Sequence, residues 1–400
     1  MTIALYIGLA ILLILIWIVI DFQLGRKMHL KKVTRLEFPK RRSDFHLYSD
    51  GNKLYEDLFA EMKDAKHHIH SLFYLVNGDH VSEEFFTILK SKADEGVEVR
   101  LLVDYLGSHK LKRKQVNELR SHGIEVEYCR KPSFPFIFFS INQRNHRKIT
   151  VVDGKIGYVG GFNIGKEYLG QDPEFGVWRD YHLKLKGEGV QDLQTQFFEN
   201  WDDCTSKPRS ESSAYYPPLE AGKSLHQFVP TNGEALKETF LKLLQKAQRS
   251  VIICTPYFIP DERLYNELMA ALRRGVKVTI LLPDKADHAL VRDAAFLYFP
   301  SLLEAGAEVY RFYIGFYHAK VMVIDEEMCD IGTANFDKRS LFLNNEINCL
   351  IYDPEFVKAT IPEIQKDIHN SEKLTLEYIS ERSILDKGRE QLAKLVSPLL

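Results

Sequence analysis

The constraint that most limits what this chain can fold into is internal, because the same succession of elements is written twice. Gly51 opens GNKLYEDLFAEMKDAKHHIHSLFYLV, an amphipathic helix followed by an apolar strand. Gly233 opens GEALKETFLKLLQKAQRSVIICTPYFI in the same order, with Ala65 matching Ala247. A second helix and strand follow in each, FFTILKSKADEGVEVRLLVD and LMAALRRGVKVTILLPD. Gly96 and Gly275 stand at the same helix-to-strand joint, where a C-cap favours a left-handed residue. A further edge completes each run, SHGIEVEYCR and LEAGAEVYRF. Alternating helices and β-branched strands predict an α/β fold in which each half is a mixed sheet with helices on both faces. Asp203 to Ser224 is rich in Ser, Pro and charge, lacks hydrophobic period, and reads as the inter-domain connection.

At equivalent places each half then carries one polar pattern, H-x-K-x4-D-x6-G-x-x-N. The first copy is His146, Lys148, Asp153, Gly160 and Asn163; the second is His318, Lys320, Asp325, Gly332 and Asn335. A single H-x-K is expected about once by chance in such a chain, so alone it means little. Two five-position copies at matching points of a repeat are a strong signal. Together they bring two imidazoles, two ammoniums and two amides, an inventory suited to a phosphodiester. Lys148, Lys320, Asn163 and Asn335 can donate to the non-bridging oxygens as negative charge grows on them. One neutral His attacks phosphorus and forms a phospho-histidine. The other protonates the leaving alkoxide and then serves as base toward the incoming hydroxyl.

A nucleophilic His needs a fixed tautomer, usually set by a carboxylate on its other ring nitrogen. Asp180 in WRDYH and Glu346 in NNEIN lie at equivalent points on the following strand of each half and are the candidates. Asp153 and Asp325 each end an apolar run before a turn; they read as orienting groups or turn formers, not as proton carriers. No metal or other cofactor is called for: the fourteen His are scattered, without an HExxH or a Cys/His cluster. His67, His68 and His70 are close together but lack further ligands.

The N-terminus stands apart from the repeat. Ile3 to Ile20 is an uncharged apolar run about long enough to cross a bilayer. A cleaved signal peptide would want a basic start and a small-residue cleavage site, and neither is evident. Arg26, Lys27, Lys31, Lys32, Arg35, Lys40, Arg41 and Arg42 follow, against Glu37 alone. The positive-inside rule then places the C-terminal bulk in the cytoplasm, with these charges drawn to anionic lipid headgroups. A formal net charge of −2 weighs against a sequence-independent nucleic-acid binder. Five cysteines without a CxxC pair read as reduced thiols in a cytosolic compartment.

The doubled pattern resembles the HKD motifs of the phospholipase D superfamily over nearly the whole chain after about Arg42. The GGFNIGKEY run, the WRDYH and TPYFIPD segments, GTANFDKRS with NNE after it, and the N-terminal span are similar to the bacterial cardiolipin synthase branch. The resemblance implies metal-independent phosphatidyl transfer between two phosphatidylglycerol molecules, giving cardiolipin and glycerol. A hydrolytic phospholipase D or a nuclease of the superfamily is the alternative. It carries over His146, Lys148, Asp153, His318, Lys320 and Asp325 as the catalytic set, with His146 as nucleophile and His318 as acid. Gly161 departs from the Ser of many superfamily members, and one span departs from the two of many relatives. The implied layout is an anchor over 1–25, a basic tether over 26–45, phospholipase D-like halves over 46–205 and 226–400, and a linker over 206–225. The aromatics Phe134, Phe136, Phe138 and Phe139, and Tyr310, Phe312, Tyr313, Phe316 and Tyr317, are candidates to line a path for acyl chains. Ordinary burial explains most of them equally well. Arg311 and the run Lys110, Lys112, Arg113, Lys114 are candidates for headgroup contacts, or a solvated face.

Overall fold

A computed structural model describes residues 2–205, 212–285, 287 and 289–396. The first half contributes β1 (Arg41–Tyr48), β2 (His68–Phe73), β3 (Glu98–Asp104), β4 (Glu125–Cys129), β5 (Ile149–Val152), β6 (Ile156–Gly160), β7 (Val177–Arg179) and β8 (His182–Gly187). The second contributes β9 (Ser224–Asn232), β10 (Ser250–Cys254), β11 (Lys277–Pro283), β12 (Glu308–Phe312), β13 (Gly315–Tyr317), β14 (Val321–Ile324), β15 (Met328–Gly332), β16 (Asn345–Ile351) and β17 (Ser371–Lys373). Among the described residues, all but β7 and β13 form one mixed sheet. Its order is β1-β8-β6-β5-β2-β3-β4 in one direction and β9-β16-β15-β14-β10-β11-β12-β17 in the other. The two runs are the same path walked twice. They meet where β1 pairs antiparallel with β9, Arg41 facing His226 and Ser43 facing Ser224.

Strand alternation divides the core. Leu102 on β3 and Val321 and Val323 on β14 belong to one buried cluster that crosses both halves, together with Phe197, Trp201, Phe228, Ile347 and Ile364. Their strand neighbours face the other way, Leu101 and Val103 into a first-half core that Phe316 joins from the second, and Met322 and Ile324 into one built from the second half. Arg147, fully buried at the join, ties the halves further. Its guanidinium donates to the Glu346 carbonyl at 2.9 Å, the Thr231 carbonyl at 2.8 Å, Asn232 Oδ1 at 2.9 Å and Asn200 Oδ1 at 3.1 Å.

Two expected boundaries move. The tether over 26–45 is not a tether: one helix runs from Thr2 to Lys32, and β1 opens at Arg41 inside the sheet. Two of its charges are engaged by protein, Arg41 with Asp192 at 3.2 Å and Arg42 with the Lys223 carbonyl at 2.8 Å. The linker over 206–225 is tied down in its described part. Tyr215 is buried against His68, His70 and Phe198, and its hydroxyl donates to Glu98 at 2.7 Å. Both segments lack hydrophobic period because isolated contacts hold them.

Arg147→Ala should strand several buried acceptors at once. We expect a loss of about 3–5 kcal/mol in urea unfolding of the detergent-solubilised protein, with both halves failing in one transition.

Candidate active site

The two H-x-K pairs sit at the N-terminal ends of β5 and β14. His146 and Lys148 lead into β5, and His318 and Lys320 lead into β14. Each lead-in strand is pinned to the opposite half. The His146 amide donates to the Asn345 carbonyl at 2.9 Å, and the His318 amide donates to the Arg179 carbonyl at 2.7 Å. The next backbone atoms therefore bring each histidine beside a carboxylate of the other half. His146 Nδ1 lies 3.0 Å from Glu346 Oε2, and His318 Nδ1 lies 2.6 Å from Asp180 Oδ2. The sequence placed Asp180 and Glu346 at equivalent points; the structure adds that the pairs are crossed.

With Nδ1 held, Nε2 of each ring remains for a substrate. The two histidine side chains are 11% and 10% exposed, whereas both carboxylates are fully buried. Glu346 is further fixed by Thr333 Oγ1 at 2.6 Å, Ser340 Oγ at 3.0 Å and Asn344 Nδ2 at 3.3 Å. Asp180 accepts from the Tyr181 amide at 2.8 Å and from Lys320 Nζ at 3.5 Å. Gly161, the equivalent of Thr333, has a physical reason here: a Cβ on it would stand 1.9 Å from Asp180 Oδ1. The shorter carboxylate occupies the space a side chain would need.

Lys148 and Lys320 are buried beneath the histidines. Lys148 Nζ donates to the His146 carbonyl at 2.6 Å and lies 5.4 Å from the centre of the Tyr74 ring. Lys320 Nζ reaches the His318 carbonyl and lies 2.6 Å from His318 Nδ1. Tyr74 meets the His146 ring edge-on at 5.1 Å, and Trp178 and Phe316 wall the His318 ring at 5.0 and 5.8 Å. Burial pulls Lys148 down to about 7, against the pull of Glu346, and lowers Lys320 against that of Asp180. Burial also lowers both imidazoles; His318, with Lys320 beside it, falls to about 4. Burial alone would raise both carboxyls. The Lys320 and His318 charges hold Asp180 below the usual range, as His146 and Lys148 hold Glu346. The charge of Lys320 is felt at His146 and that of Lys148 at His318, so the two motifs face one site.

Other expected residues fall elsewhere. Asp153 and Asp325 stand at the far ends of β5 and β14. Each lies seven positions beyond its histidine along extended chain, roughly 20 Å. Asp153 accepts from the amides of Lys66, His67 and His68 at 2.8–3.0 Å. Asp325 does the same for Gln248, Arg249 and Ser250 at 2.7–3.2 Å. Both have φ near +55°, a conformation Asp tolerates, so the turn-forming reading describes their place and the orienting one does not. Asn163 is committed to its loop, accepting from the Leu75 amide at 3.0 Å and donating to the Tyr168 hydroxyl at 2.9 Å. Asn335 donates to Asp337 at 3.2 Å. Each amide has one hydrogen left over. Arg311 lines a cavity of about 500 Å³ in the second half, its guanidinium held by Asp284 and Glu372. His68 and His70 share Gln194, and His70 also meets Glu98.

Sequence reasoning passed over Arg147, Tyr74, Trp178 and the Thr333–Ser340 support of Glu346. Arg147 was in plain view inside the motif, but its counterpart is Ala319, and reading by symmetry discards whatever is not repeated.

Two expectations follow from these contacts. Asp153→Ala removes three amide bonds to a carboxylate and should cost about 2–4 kcal/mol of stability. Histidine NMR signals of the site in the folded fraction should stay in place. His318 and His182, the latter held down to about 3 by burial, are depressed below an unfolded value near 6.5. Their stabilising contribution is complete above about pH 6.5 and is lost as pH falls toward about 4. Each contributes a slope of up to ~1.4 kcal/mol per pH unit. His318→Gln should flatten that acid limb in urea titrations.

The family model described as cardiolipin synthase, PLD-like domain, matches residues 58–201 and 240–368, one stretch in each half. The chain is 42% identical over 383 residues to the minor cardiolipin synthase ClsB of Bacillus subtilis, covering 96% of both chains. It is 38% identical over 364 residues to cardiolipin synthase 2 of Staphylococcus epidermidis, covering 90% of this chain and 75% of that one. In fold it resembles the crystal structure of a phosphatidylserine synthase from Haemophilus influenzae, with a TM-score of 0.68 at 18% identity. That match covers 94% of this chain and 100% of the other. The chain thus belongs to the cardiolipin synthase family of phospholipase D-like proteins.

Proposed function

We propose that this protein is a cardiolipin synthase, moving a phosphatidyl group from one phosphatidylglycerol to a glycerol hydroxyl of another and releasing glycerol. The observation that carries the proposal is the crossed pair of carboxylate-held histidines above two buried lysines. The chain holding them matches a named cardiolipin synthase end to end. His146 is the better nucleophile. Its Nδ1 proton goes to Glu346, which leaves a lone pair on Nε2. At His318 the Nδ1 position is shared between Asp180 and Lys320, and this ring is the acid.

In the first step Nε2 of His146 attacks phosphorus, the P–O bond to glycerol breaks, and the alkoxide takes its proton from His318. In the second, a glycerol hydroxyl of another phosphatidylglycerol gives its proton to His318 and attacks phosphorus. The P–N bond breaks and His146 returns neutral. Lys148 and Lys320, helped by the remaining amide hydrogens of Asn163 and Asn335, offset the charge on the phosphoryl oxygens. The low values of His318 and Lys148 describe the site without its anion. A phosphodiester beside them raises both, so His318 gains its proton when there is something to protonate.

The N-terminal helix is proposed as a single membrane span, with the catalytic body on the cytoplasmic side by its basic flank. Its described residues 3–32 have a mean hydropathy of 3.1 in the most apolar window, none of which is buried by protein. Phosphatidylglycerol and other anionic lipids are then within reach, and nucleic acid is not an expected substrate.

Purified protein should convert phosphatidylglycerol to cardiolipin and glycerol, identified by mass spectrometry. His146→Ala and His318→Ala should each lower turnover by at least ~10³-fold. Phosphatidic acid as the sole product would make the protein a hydrolase. Turnover retained by either variant would overturn the two-histidine mechanism.

A further inference from the structure

The N-terminal helix does more than leave the bilayer. Past Ile20 its protein-facing side is docked on both halves, close to the first motif. Asp21, buried at the end of the apolar run, accepts from the Phe139 amide at 2.8 Å. Phe22 meets Phe138 and Phe139 edge-on at 6.3 and 5.9 Å. Gly25 is required by contact, since a Cβ there would stand 2.6 Å from that of Phe139. His29 Nε2 lies 2.8 Å from both the Gln143 amide nitrogen and the Asn232 carbonyl. Arg26 caps the Phe342 ring in the second half.

The partner of this docking is the short helix Ile137–Asn142 and the loop before it, the SFPFIFF segment. Only part of its apolar surface is used. Phe139 is buried, but Phe134 is 86% exposed and Ile141 is also exposed. Lys131 at its start and Lys27 on the adjoining helix are exposed as well. An aromatic ring left this bare in water forgoes the free energy that burial would give it. It sits on a segment held to the point where an apolar helix changes to a basic one. An apolar tip flanked by lysines at that depth matches a bilayer interface carrying anionic headgroups.

We propose that the 131–142 segment is a second membrane element, with Phe134 and Ile141 entering the acyl boundary beside the span. The short helix leads within four residues to His146. Helix and loop together then form a rigid mount that fixes the depth of the first histidine below the lipid headgroups. The proposal rests on reading the N-terminal helix as a span, and it gives Phe134 and Phe138 a role different from lining an acyl path inside the protein.

The test uses the full chain in vesicles of phosphatidylcholine and phosphatidylglycerol, with bromine on the acyl chains at defined depths. Trp17, in the apolar run, reports the span; Trp178 and Trp201 are buried and give a constant background. Phe134→Trp in a Trp17→Phe background reports the loop. Tyr216→Trp, in the same background, reports the end of the strands remote from the histidines. The Phe134→Trp probe should emit to the blue and lose most of its intensity to bromines near the headgroup end of the chain. The Tyr216→Trp probe should not. If Phe134→Trp is unquenched while Trp17 is quenched, the loop stays out of the bilayer and the inference fails with the span intact. A blue-shifted, unquenched Phe134→Trp would mean that protein covers the loop, which also overturns it. If neither Trp17 nor Phe134→Trp is quenched, the span reading falls too.

Discussion

Each imidazole of the site is held by a carboxylate from the other half, and most of the molecule serves that exchange. The His146–Glu346 and His318–Asp180 bonds are made possible by backbone bonds one residue away, from His146 to Asn345 and from His318 to Arg179. Those in turn require the halves to be locked in register. The β1–β9 pairing, a cluster of side chains that crosses the join, and Arg147 with acceptors on both sides supply the lock. A half on its own would possess a histidine and a lysine but no partner for the ring, and an imidazole without a fixed tautomer is a poor nucleophile. The proposed site is therefore divided between two units, each holding the other's histidine.

The symmetry is broken around the two carboxylates, where the proposed mechanism needs two roles. Glu346 is steadied by hydroxyls from Thr333 and Ser340, while Asp180 fills the room that Gly161 leaves and shares His318 with Lys320. A shorter acid on one side and a hydroxyl-supported acid on the other give the two rings unequal surroundings from equal frames. An attacking nitrogen and a proton-carrying nitrogen need unequal surroundings.

Much of this was legible in the sequence because periodicity and repetition are local signals. The order of helices and strands, the matched glycines, the two motifs and the two carboxylates could each be read along the chain. Three things could not. The crossing of the carboxylates depends on how the halves meet, which no local pattern encodes. The remote position of Asp153 and Asp325 depends on strand length: spacing ties them to the motif, while the extended backbone carries them to the other end of the sheet. The fixing of residues 26–32 and of Tyr215 rests on single contacts with distant partners, and such segments read as loose because they lack a repeating face.

The docking of the N-terminal helix bears on how the protein is made. Arg26 leaves the ribosome 316 residues before Phe342, whose ring and carbonyl it meets, and His29 leaves 203 before Asn232. As the proposed span, the helix would enter the membrane first, with Asp21 and Gly25 covered by Phe139 once the first half follows. Its seat is completed only after the second half has been synthesised. On the proposed span, final assembly is an event at the lipid surface, in which the second half closes onto a helix made long before it. A bilayer around the proposed span would then hold one of the two surfaces while the other forms.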